Sequence, residues 1–272
     1  MKKSLLITHI GNVDYPIFRQ WLEKYHSWFD EIIIYWDLSF RFPILLSFMQ
    51  QSLSHLTNIK FLDPVERELG VDDWRDKATK EMLKHATGDW IISIEQDWLS
   101  KDWDRLLKVS EQAMQKCDLF GWYNYTNFPY IHPAYFFIKR ELLEKTSKDF
   151  SPHQEINGSD HFAMITHEAL QQGGKLLKLQ DIGFNAQIIN ATDTDCFHLG
   201  GINQAYLNGL NDPNHQFHRG VIFIVYNYWS MKANVKQSPL FMEMMEKMDR
   251  KLRTLYPSIN PETDEWSKFF QI

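Results

Sequence analysis

The sequence is short of cysteine and of long apolar runs, and each shortage excludes a class of protein. Its two cysteines, Cys117 and Cys196, lie far apart and match no metal-ligand spacing. Two cysteines can form at most one disulfide bond, which is too few to stabilise a secreted fold of this size, so they favour a reducing compartment. The N-terminal apolar run stops at Thr8, too soon for a signal peptide, and the longest later run, Val221–Tyr226, is well short of a membrane span. We expect a cytoplasmic protein, with peripheral membrane contact left open.

The sequence also lacks an excess of basic residues. It has 29 lysines and arginines against 35 aspartates and glutamates, a net charge of −6, so we expect no nucleic acid partner. Hydrophobic residues make up 44% of the 272 residues, which is enough to fill a core and excludes an intrinsically disordered chain. No internal repeat or low-complexity segment is visible.

The first hundred residues alternate short apolar runs with segments of helical spacing, a pattern that predicts an α/β fold with a parallel sheet. The predicted strands are Ser4–Thr8, Glu31–Tyr35, Ile59–Leu62 and Trp90–Ile94, and the predicted helices are residues 17–29, Pro43–Leu53 and Asp73–His85. Ligands of such sheets bind beyond the carboxyl ends of the strands. The polar residues expected at that edge are Thr8, Asp37, Asp63, Glu95 and Asp97.

The second half of the chain is less regular. It predicts a helix over Asp102–Met114, with the preceding residues from Trp98 as the start of that helix, and a second helix over Asp160–Gln172. The predicted strands are Asp118–Tyr125, Ala134–Ile138, Leu176–Leu179 and Ala186–Ile189, with Pro129 and Pro133 in a loop. The Met-rich segment Pro239–Tyr256 predicts an amphipathic helix. We expect a main domain over residues 1–220, in halves 1–100 and 101–220, and a C-terminal helical extension over residues 221–272.

The acidic sequence Glu95-Gln96-Asp97 comes directly after a buried strand. Carboxylates at positions i and i+2 of an extended segment point to the same side. They can hold a hard divalent cation together with phosphate oxygens and water. The alternative is an ordinary solvated turn at the end of a strand.

The sequence contains Trp74-Arg75-Asp76-Lys77-Ala78, then Ala86-Thr87-Gly88-Asp89, then the apolar run that ends at Glu95-Gln96-Asp97. With these motifs in this order, residues 4–200 resemble family-two-type glycosyltransferases of the GT-A (Rossmann-like) fold. The sequence Trp74-Arg75-Asp76-Lys77-Ala78 resembles their Arg-Asn-x-Ala-like helix start. The sequence from Ala86 to Asp97 resembles their Ala-x-Gly-Asp turn, apolar strand and Asp-x-Asp motif, with Glu95 in place of the first aspartate. Asn12, Asp37-Leu38-Ser39 and Gly158-Ser159-Asp160-His161 resemble three further motifs, with Leu38 and Ser159 where glycine and glutamate are usual.

This resemblance implies a role for each matching residue. Asp97 is the main metal-side carboxylate, helped by Glu95, and Mn²⁺ or Mg²⁺ is the expected ion. Asp37 recognises the nucleotide base, and Asn12, Thr8 and Arg75 belong to the same nucleotide-sugar pocket. Asp160 is the general base that deprotonates the acceptor, with inversion at the anomeric carbon. The expected partners are a nucleotide-sugar donor and a glycan or other hydroxyl acceptor.

His198 is a further candidate, because it follows two acids and precedes a glycine pair. Its imidazole can ligate the ion or donate to a phosphate oxygen, and the alternative is a structural histidine in a loop. Among the aromatic residues of the middle third, which include Trp98, Trp103 and Trp122, core packing is the main expectation, with one or two left to stack on a sugar. A zinc hydrolase is disfavoured, because His161 and His167 are six residues apart on a predicted helix and face different sides.

The sequence thus predicts a metal-dependent, hexosyltransferase-like enzyme, and two other functions stay open. A sugar nucleotidylyltransferase needs a glycine-rich, arginine-containing loop after the first strand, whereas residues 9–14 have one glycine and no lysine or arginine. A catalytically degenerate nucleotide- or glycan-binding protein on the same scaffold is suggested by the departures at Leu38, Glu95 and Ser159.

Overall fold

The computed structural model describes residues 1–10, 15–37, 50–62, 74–96, 98–124, 128–152, 161–188, 194–198 and 250. Within them, a seven-stranded sheet and a three-stranded sheet account for the strands. The strands are β1 (Lys3–Ile10), β2 (Glu31–Asp37), β3 (Ile59–Leu62), β4 (Trp90–Ile94), β5 (Trp98–Ser100), β6 (Leu119–Asn124), β7 (Tyr130–Lys139), β8 (Leu176–Lys178), β9 (Ala186–Ile188) and β10 (Cys196–His198).

The large sheet has the strand order β3-β2-β1-β4-β7-β6-β8. β1 is parallel to both β2 and β4, β2 is parallel to β3, and β6 is parallel to β8. Only β7 runs against its neighbours, β4 and β6. The small sheet has the order β5-β10-β9. The predicted α/β class with a mainly parallel sheet is therefore confirmed.

Helices cover both faces of the large sheet. They are α1 (Tyr15–Tyr25), α2 (Trp74–His85), α3 (Trp103–Met114), α4 (Arg140–Leu143) and α5 (Ala163–Gln171). Side chains alternate along the strands, so Leu5 and Ile7 join a core with α1 and α3, whereas Leu6 joins a second core with α2, α4 and α5. Burial on both faces explains the continuous apolar runs of β1, β2 and β4.

A carboxylate fixes the central strands to the turn before β4. Oε1 of Glu31 accepts hydrogen bonds from Oγ of Ser4 at 2.5 Å, from the backbone N–H of Gly88 at 3.0 Å and from the backbone N–H of Thr87. Gly88 packs so closely on β1 that an added Cβ would lie 2.6 Å from the backbone nitrogen of Ser4. This turn sets the register in which β4 delivers its carboxyl end to the edge of the sheet.

The predicted helix Asp102–Met114 is confirmed to within one residue, and three other details of the sequence interpretation differ from the structure. Residues 98–100 form strand β5, and α3 begins only at Trp103, because Asp102 caps it by accepting from the backbone N–H of Arg105 at 2.8 Å. Pro133 lies inside β7 and not in a loop. Residues 196–198 form β10, which the sequence pattern does not predict.

Other boundaries differ by a few residues, and some predictions cannot be compared. α1 ends at Tyr25, where a short 3₁₀ turn over His26–Trp28 begins, and α5 begins at Ala163 and not at Asp160. Most of the predicted helix Pro43–Leu53 and, apart from residue 250, the proposed extension over residues 221–272 lie outside the described residues.

Candidate functional site

The strand order reverses at β1, because β2 and β3 follow on one side of it and β4 lies on the other. In open α/β sheets, ligands bind in the crevice outside the carboxyl ends of the strands at such a reversal. Thr8 is near the end of β1, and Glu95 directly follows β4. Thr8, Arg75, Ser93, Glu95 and Phe162 line one cavity at this place, which we call the switch-point cavity.

Glu95 is held between two basic side chains in a nearly solvent-free position. Its Oε1 lies 2.6 Å from Nη2 of Arg75, and its Oε2 lies 2.7 Å from Nε2 of His198. The side chains of Glu95 and His198 are 9% and 8% exposed. Burial by itself raises the pKa of Glu95, but the charges of Arg75 and His198 outweigh burial and hold the pKa well below its ordinary value. Glu95 is therefore ionised at neutral pH.

Three distant segments of the chain build this cluster. Arg75 is the second residue of α2, Glu95 follows β4, and His198 ends β10. β10 reaches the cluster because it pairs antiparallel with β5, which places His198 opposite Trp98. The structure therefore brings together Arg75, Glu95 and His198, which the sequence nominated separately.

His132 is a further member of the cluster, and sequence reasoning missed it. It lies in β7, it is buried, and its ring centroid is 4.9 Å from that of His198. Its Nδ1 accepts the backbone N–H of Ala134 at 3.1 Å, so a neutral His132 carries its proton on Nε2. A signal was present in the sequence, because His132 is the only histidine in the otherwise apolar and aromatic run Tyr130–Ile138.

The cluster contains groups that fit a divalent cation. One ligand atom each from Glu95, His132 and His198 lies within 4.8 Å of the other two. A carboxylate with imidazole nitrogens suits Mn²⁺ better than Mg²⁺, which prefers oxygen ligands. Oε1 of Glu95 is buried and makes no hydrogen bond despite its ion-pair contact with Arg75. The tautomer of His132 makes it the better hydrogen-bond donor and leaves Glu95 and His198 as the better ligands.

Cys196 lies two residues before His198, and it is not a further ligand candidate. Its side chain is fully buried, and burial raises the pKa of its thiol to about 12. The thiol is therefore protonated at neutral pH, whereas metal ions bind the thiolate.

The remaining predicted site residues are only partly placed. Asp37 ends β2 in register with Ile10 of β1, so its backbone lies at the predicted sheet edge. Asn12, Asp97 and Asp160 lie outside the described residues. Their assigned roles therefore stay predictions.

Phe162 directly follows the predicted acceptor-side motif in the sequence. It is buried and lies immediately before α5 with φ +69°, in the left-handed region that a bulky residue rarely adopts. Its ring packs on Phe136 and Phe150 at centroid distances of 5.0 and 4.8 Å. The same residue lines the switch-point cavity.

Most of the aromatic residues in the middle third belong to the core, as expected. Trp98, Trp103, Trp122 and Tyr130 are buried, and Tyr123 is partly buried and packs against the second core. Trp98 stacks on Tyr135 at 5.3 Å between ring centroids. No described side chain of this group is exposed as a sugar-stacking platform.

Among the described residues, no helix combines the length and the apolar character needed to cross a bilayer. No protein-family model matches the chain, and no curated protein matches it.

Several solved structures are similar to the chain. The mannosyltransferase PcManGT from Pyrobaculum calidifontis, in complex with GDP-Man and Mn²⁺, is 13% identical with a TM-score of 0.47, over 95% of this chain and 88% of that one. S. aureus TarS 1–349 is 11% identical with a TM-score of 0.47, over 96% and 74%. HddC from Yersinia pseudotuberculosis is 12% identical with a TM-score of 0.41, over 66% and 90%. These likenesses are too distant to indicate a family or an activity.

Proposed function

We propose that the protein is a glycosyltransferase that moves a sugar from a nucleotide-sugar donor to an acceptor hydroxyl. The observation that carries the proposal is the buried cluster of Arg75, Glu95 and His198 beside Thr8 at the switch point of the sheet. These positions are among those that the motif resemblance nominates for the donor and its ion.

The chemistry that such a transfer needs matches the charges of the cluster. The diphosphate leaving group gains negative charge as the glycosidic bond breaks, so positive groups must lie beside it. Arg75 and the two histidines are donors of hydrogen bonds in a site with little water, where electrostatic interactions are strong. Glu95 orients Arg75 and His198 through its two oxygens, so that these donors are fixed before the substrate arrives.

A divalent ion at this site would supply Lewis-acid stabilisation of the leaving diphosphate. Glu95 and His198 are the described residues that would hold it, together with Asp97 from the predicted motif. Asp160 is the proposed base that takes the proton of the acceptor hydroxyl as it attacks, and inversion at the anomeric carbon follows if the attack comes from the face opposite the diphosphate.

The test is nucleotide binding followed by turnover. Thermal shift and calorimetry with UDP, GDP and dTDP, each with Mn²⁺, with Mg²⁺ and with neither, should show one preferred nucleotide, because a ligand of the native state raises its melting temperature. Arg75→Ala should weaken that binding at least tenfold, whereas Arg19→Ala should not, since Arg19 pairs with Glu23 on α1 and does not line the switch-point cavity. Hydrolysis or transfer of the matching nucleotide sugar should follow.

The degenerate scaffold is the second candidate, and one contact favours it. Both oxygens of Glu95 are already in ion-pair contact with basic side chains, an arrangement that can bind without turning over. A nucleotide that binds equally well with and without metal, together with no turnover of any donor, would establish a binding protein. Absence of any nucleotide binding would refute the transferase and leave only the glycan-binding form of the second candidate.

A further inference from the structure

The pairing of β6 with β7 is irregular at the segment that carries His132. Gly121 and Tyr123 of β6 pair with Phe136 and Ile131 of β7. Residues 132–135 of β7 therefore lie opposite a single residue of β6, and β7 bulges there. Bulges redirect side chains and are frequent next to active sites. The position of His132 in the charged cluster is thus tied to an interruption of the strand pairing.

Two residues of the sequence favour this bulge. A Cβ on Gly121 would meet the carbonyl oxygen of Tyr135, so only glycine allows the two strands to approach this closely. Pro133 has no backbone N–H to donate to a neighbouring strand, and a bulge is one of the few places within a sheet that accept proline. The bulge is therefore a feature that the sequence specifies, and His132 directly precedes its proline.

Ala134 connects the ring of His132 with the backbone of Glu95. The backbone N–H of Ala134 donates to Nδ1 of His132 at 3.1 Å, and its carbonyl oxygen accepts from the backbone N–H of Glu95 at 3.2 Å. Ala134 is fully buried, so loss of the Nδ1 acceptor would leave its N–H unsatisfied or shift the residue. The ring nitrogen of His132 therefore holds the residue that fixes the backbone of Glu95.

The ring of His132 also packs within the cluster. Its centroid is 4.6 Å from that of Trp122 and 4.9 Å from that of His198. Nε2 of His198 in turn lies 2.7 Å from Oε2 of Glu95. His132 is thus connected to both members of this ion pair, to the backbone of Glu95 through Ala134 and to the ring of His198 directly.

Two roles for His132 make different demands on its ring. Among the described residues that line the switch-point cavity, His132 is absent, so it would act on a ligand there through other residues. Packing beside Trp122 and His198 needs only an aromatic ring, which phenylalanine supplies without burying a polar group. Positioning needs Nδ1 as an acceptor, and Nδ1 is used in this way. The observed hydrogen bond therefore favours positioning.

We propose that His132 is a positioning residue of the candidate active site. Its Nδ1 holds Ala134, Ala134 holds the backbone of Glu95, and the carboxylate of Glu95 is thereby kept in contact with Arg75 and His198. The effect on the contact between Glu95 and His198 needs no ligand. An effect on nucleotide binding rests on the proposed function, and the experiment measures the two separately.

Two substitutions separate positioning from packing. His132→Phe keeps an aromatic ring and removes the acceptor, whereas His132→Asn removes most of the ring and keeps an oxygen near the position of Nδ1. The readout without ligand is the ring N–H proton at Nε2 of His198 in the ¹⁵N-labelled full-length protein, which Glu95 should protect from exchange with water. We expect this proton in the parent and in His132→Asn, and its loss to exchange in His132→Phe. His198→Asn assigns the signal.

The second readout is calorimetry with UDP, GDP and dTDP in the presence of Mn²⁺. His132→Phe should weaken binding of the preferred nucleotide about tenfold, because residues that orient a metal-binding group typically act at this level. His132→Asn should bind that nucleotide as the parent does. In the parent, long-range ¹H–¹⁵N spectra should show Nδ1 of His132 without a proton, since it accepts from Ala134.

His26→Phe is the matched control. Nδ1 of His26 is also in a hydrogen-bond contact, with Oδ1 of Asn58 at 3.1 Å, but His26 precedes β2 and so lies at the amino edge of the sheet. This variant should change neither the His198 proton nor nucleotide binding. Should His132→Phe fail to fold, the protonation of Nδ1 in the parent and the behaviour of His132→Asn still decide.

The outcomes separate this inference from the proposed function. A His198 proton that is retained in His132→Phe and lost in His132→Asn would show a packing role and overturn the inference. Equal behaviour of the two variants would overturn it as well, since the acceptor would then make no difference, and so would a proton on Nδ1 of His132 in the parent. If the parent binds no nucleotide, the proposed transferase fails, and the His198 proton alone decides whether His132 positions Glu95.

Discussion

Replacing Glu95 with glutamine tests whether the charged cluster holds the fold together as well as the substrate. The change keeps the size of the side chain and removes its charge. Arg75 and His198 are only 15% and 8% exposed, so the guanidinium of Arg75 would keep its charge with little water to compensate it. Removal of one partner of a buried ion pair costs about 3–5 kcal/mol. The partial exposure of Arg75 places our expectation at about 3 kcal/mol, the lower end of that range.

Urea unfolding at neutral pH measures this loss. The midpoint should fall while the slope stays constant, because the surface exposed on unfolding does not change. Glu144→Gln is the matched control: its side chain is 50% exposed and lies 3.9 Å from Arg140, so the change should be below about 0.5 kcal/mol. If Glu95→Gln is as stable as the parent, the cluster does not stabilise the fold and the reasoning is refuted.

A double-mutant cycle then isolates the pair. Arg75→Gln alone should also destabilise the protein, because it leaves Glu95 with only the histidines to balance its charge. The double variant has no uncompensated charge of this pair, so it should be more stable than the sum of the single changes predicts, by about 1–3 kcal/mol. Simple additivity would show that Arg75 and Glu95 do not act on each other.

Three further outcomes follow from the described contacts. Burial raises the pKa of Glu31, but its hydrogen bonds outweigh burial and lower the pKa from 4.5, and the pKa of Glu95 is lowered as well. Urea unfolding as a function of pH should therefore show full stability above about pH 5 and a progressive loss below that value. A stability that rises on acidification would contradict this sign. Gly88→Ala should destabilise the protein by about 3 kcal/mol in the same assay, because the new Cβ meets the backbone nitrogen of Ser4 in a central strand; an unchanged midpoint would show that the turn can move. Both cysteines are buried, so Ellman's reagent should label neither in the native protein and both in urea, and rapid native labelling would contradict the burial.

The part of the fold that depends on local pattern was predictable from the sequence. β3 and β4 have the predicted boundaries, because each is a short apolar run between turn residues. The helix over residues 74–85 differs from its prediction by one residue. The carboxyl edge of the sheet follows from the alternation of strands and helices, which predicts that Thr8 and Glu95 lie at one site, whereas Arg75 is assigned to that site by the motif resemblance.

The parts that depend on distant pairing were not predictable. β5 has three residues, and its partner β10 is nearly a hundred residues later, so no periodicity marks either strand. Pro133 in β7 reads as a loop residue, since proline removes a backbone donor from a sheet. His132 was missed for the same reason. Its segment was predicted to be a loop, whereas it belongs to β7, which pairs with β4 and brings His132 close to Glu95.

The small sheet also determines when the charged cluster can exist. The strands from β1 to β4 are complete once residue 94 has left the ribosome, and they can pair at that stage of synthesis. His198 is added more than a hundred residues later and reaches Glu95 only by pairing with β5. A nascent or truncated chain that stops before β10 therefore lacks His198 and its contact with Glu95, even when its large sheet has formed completely.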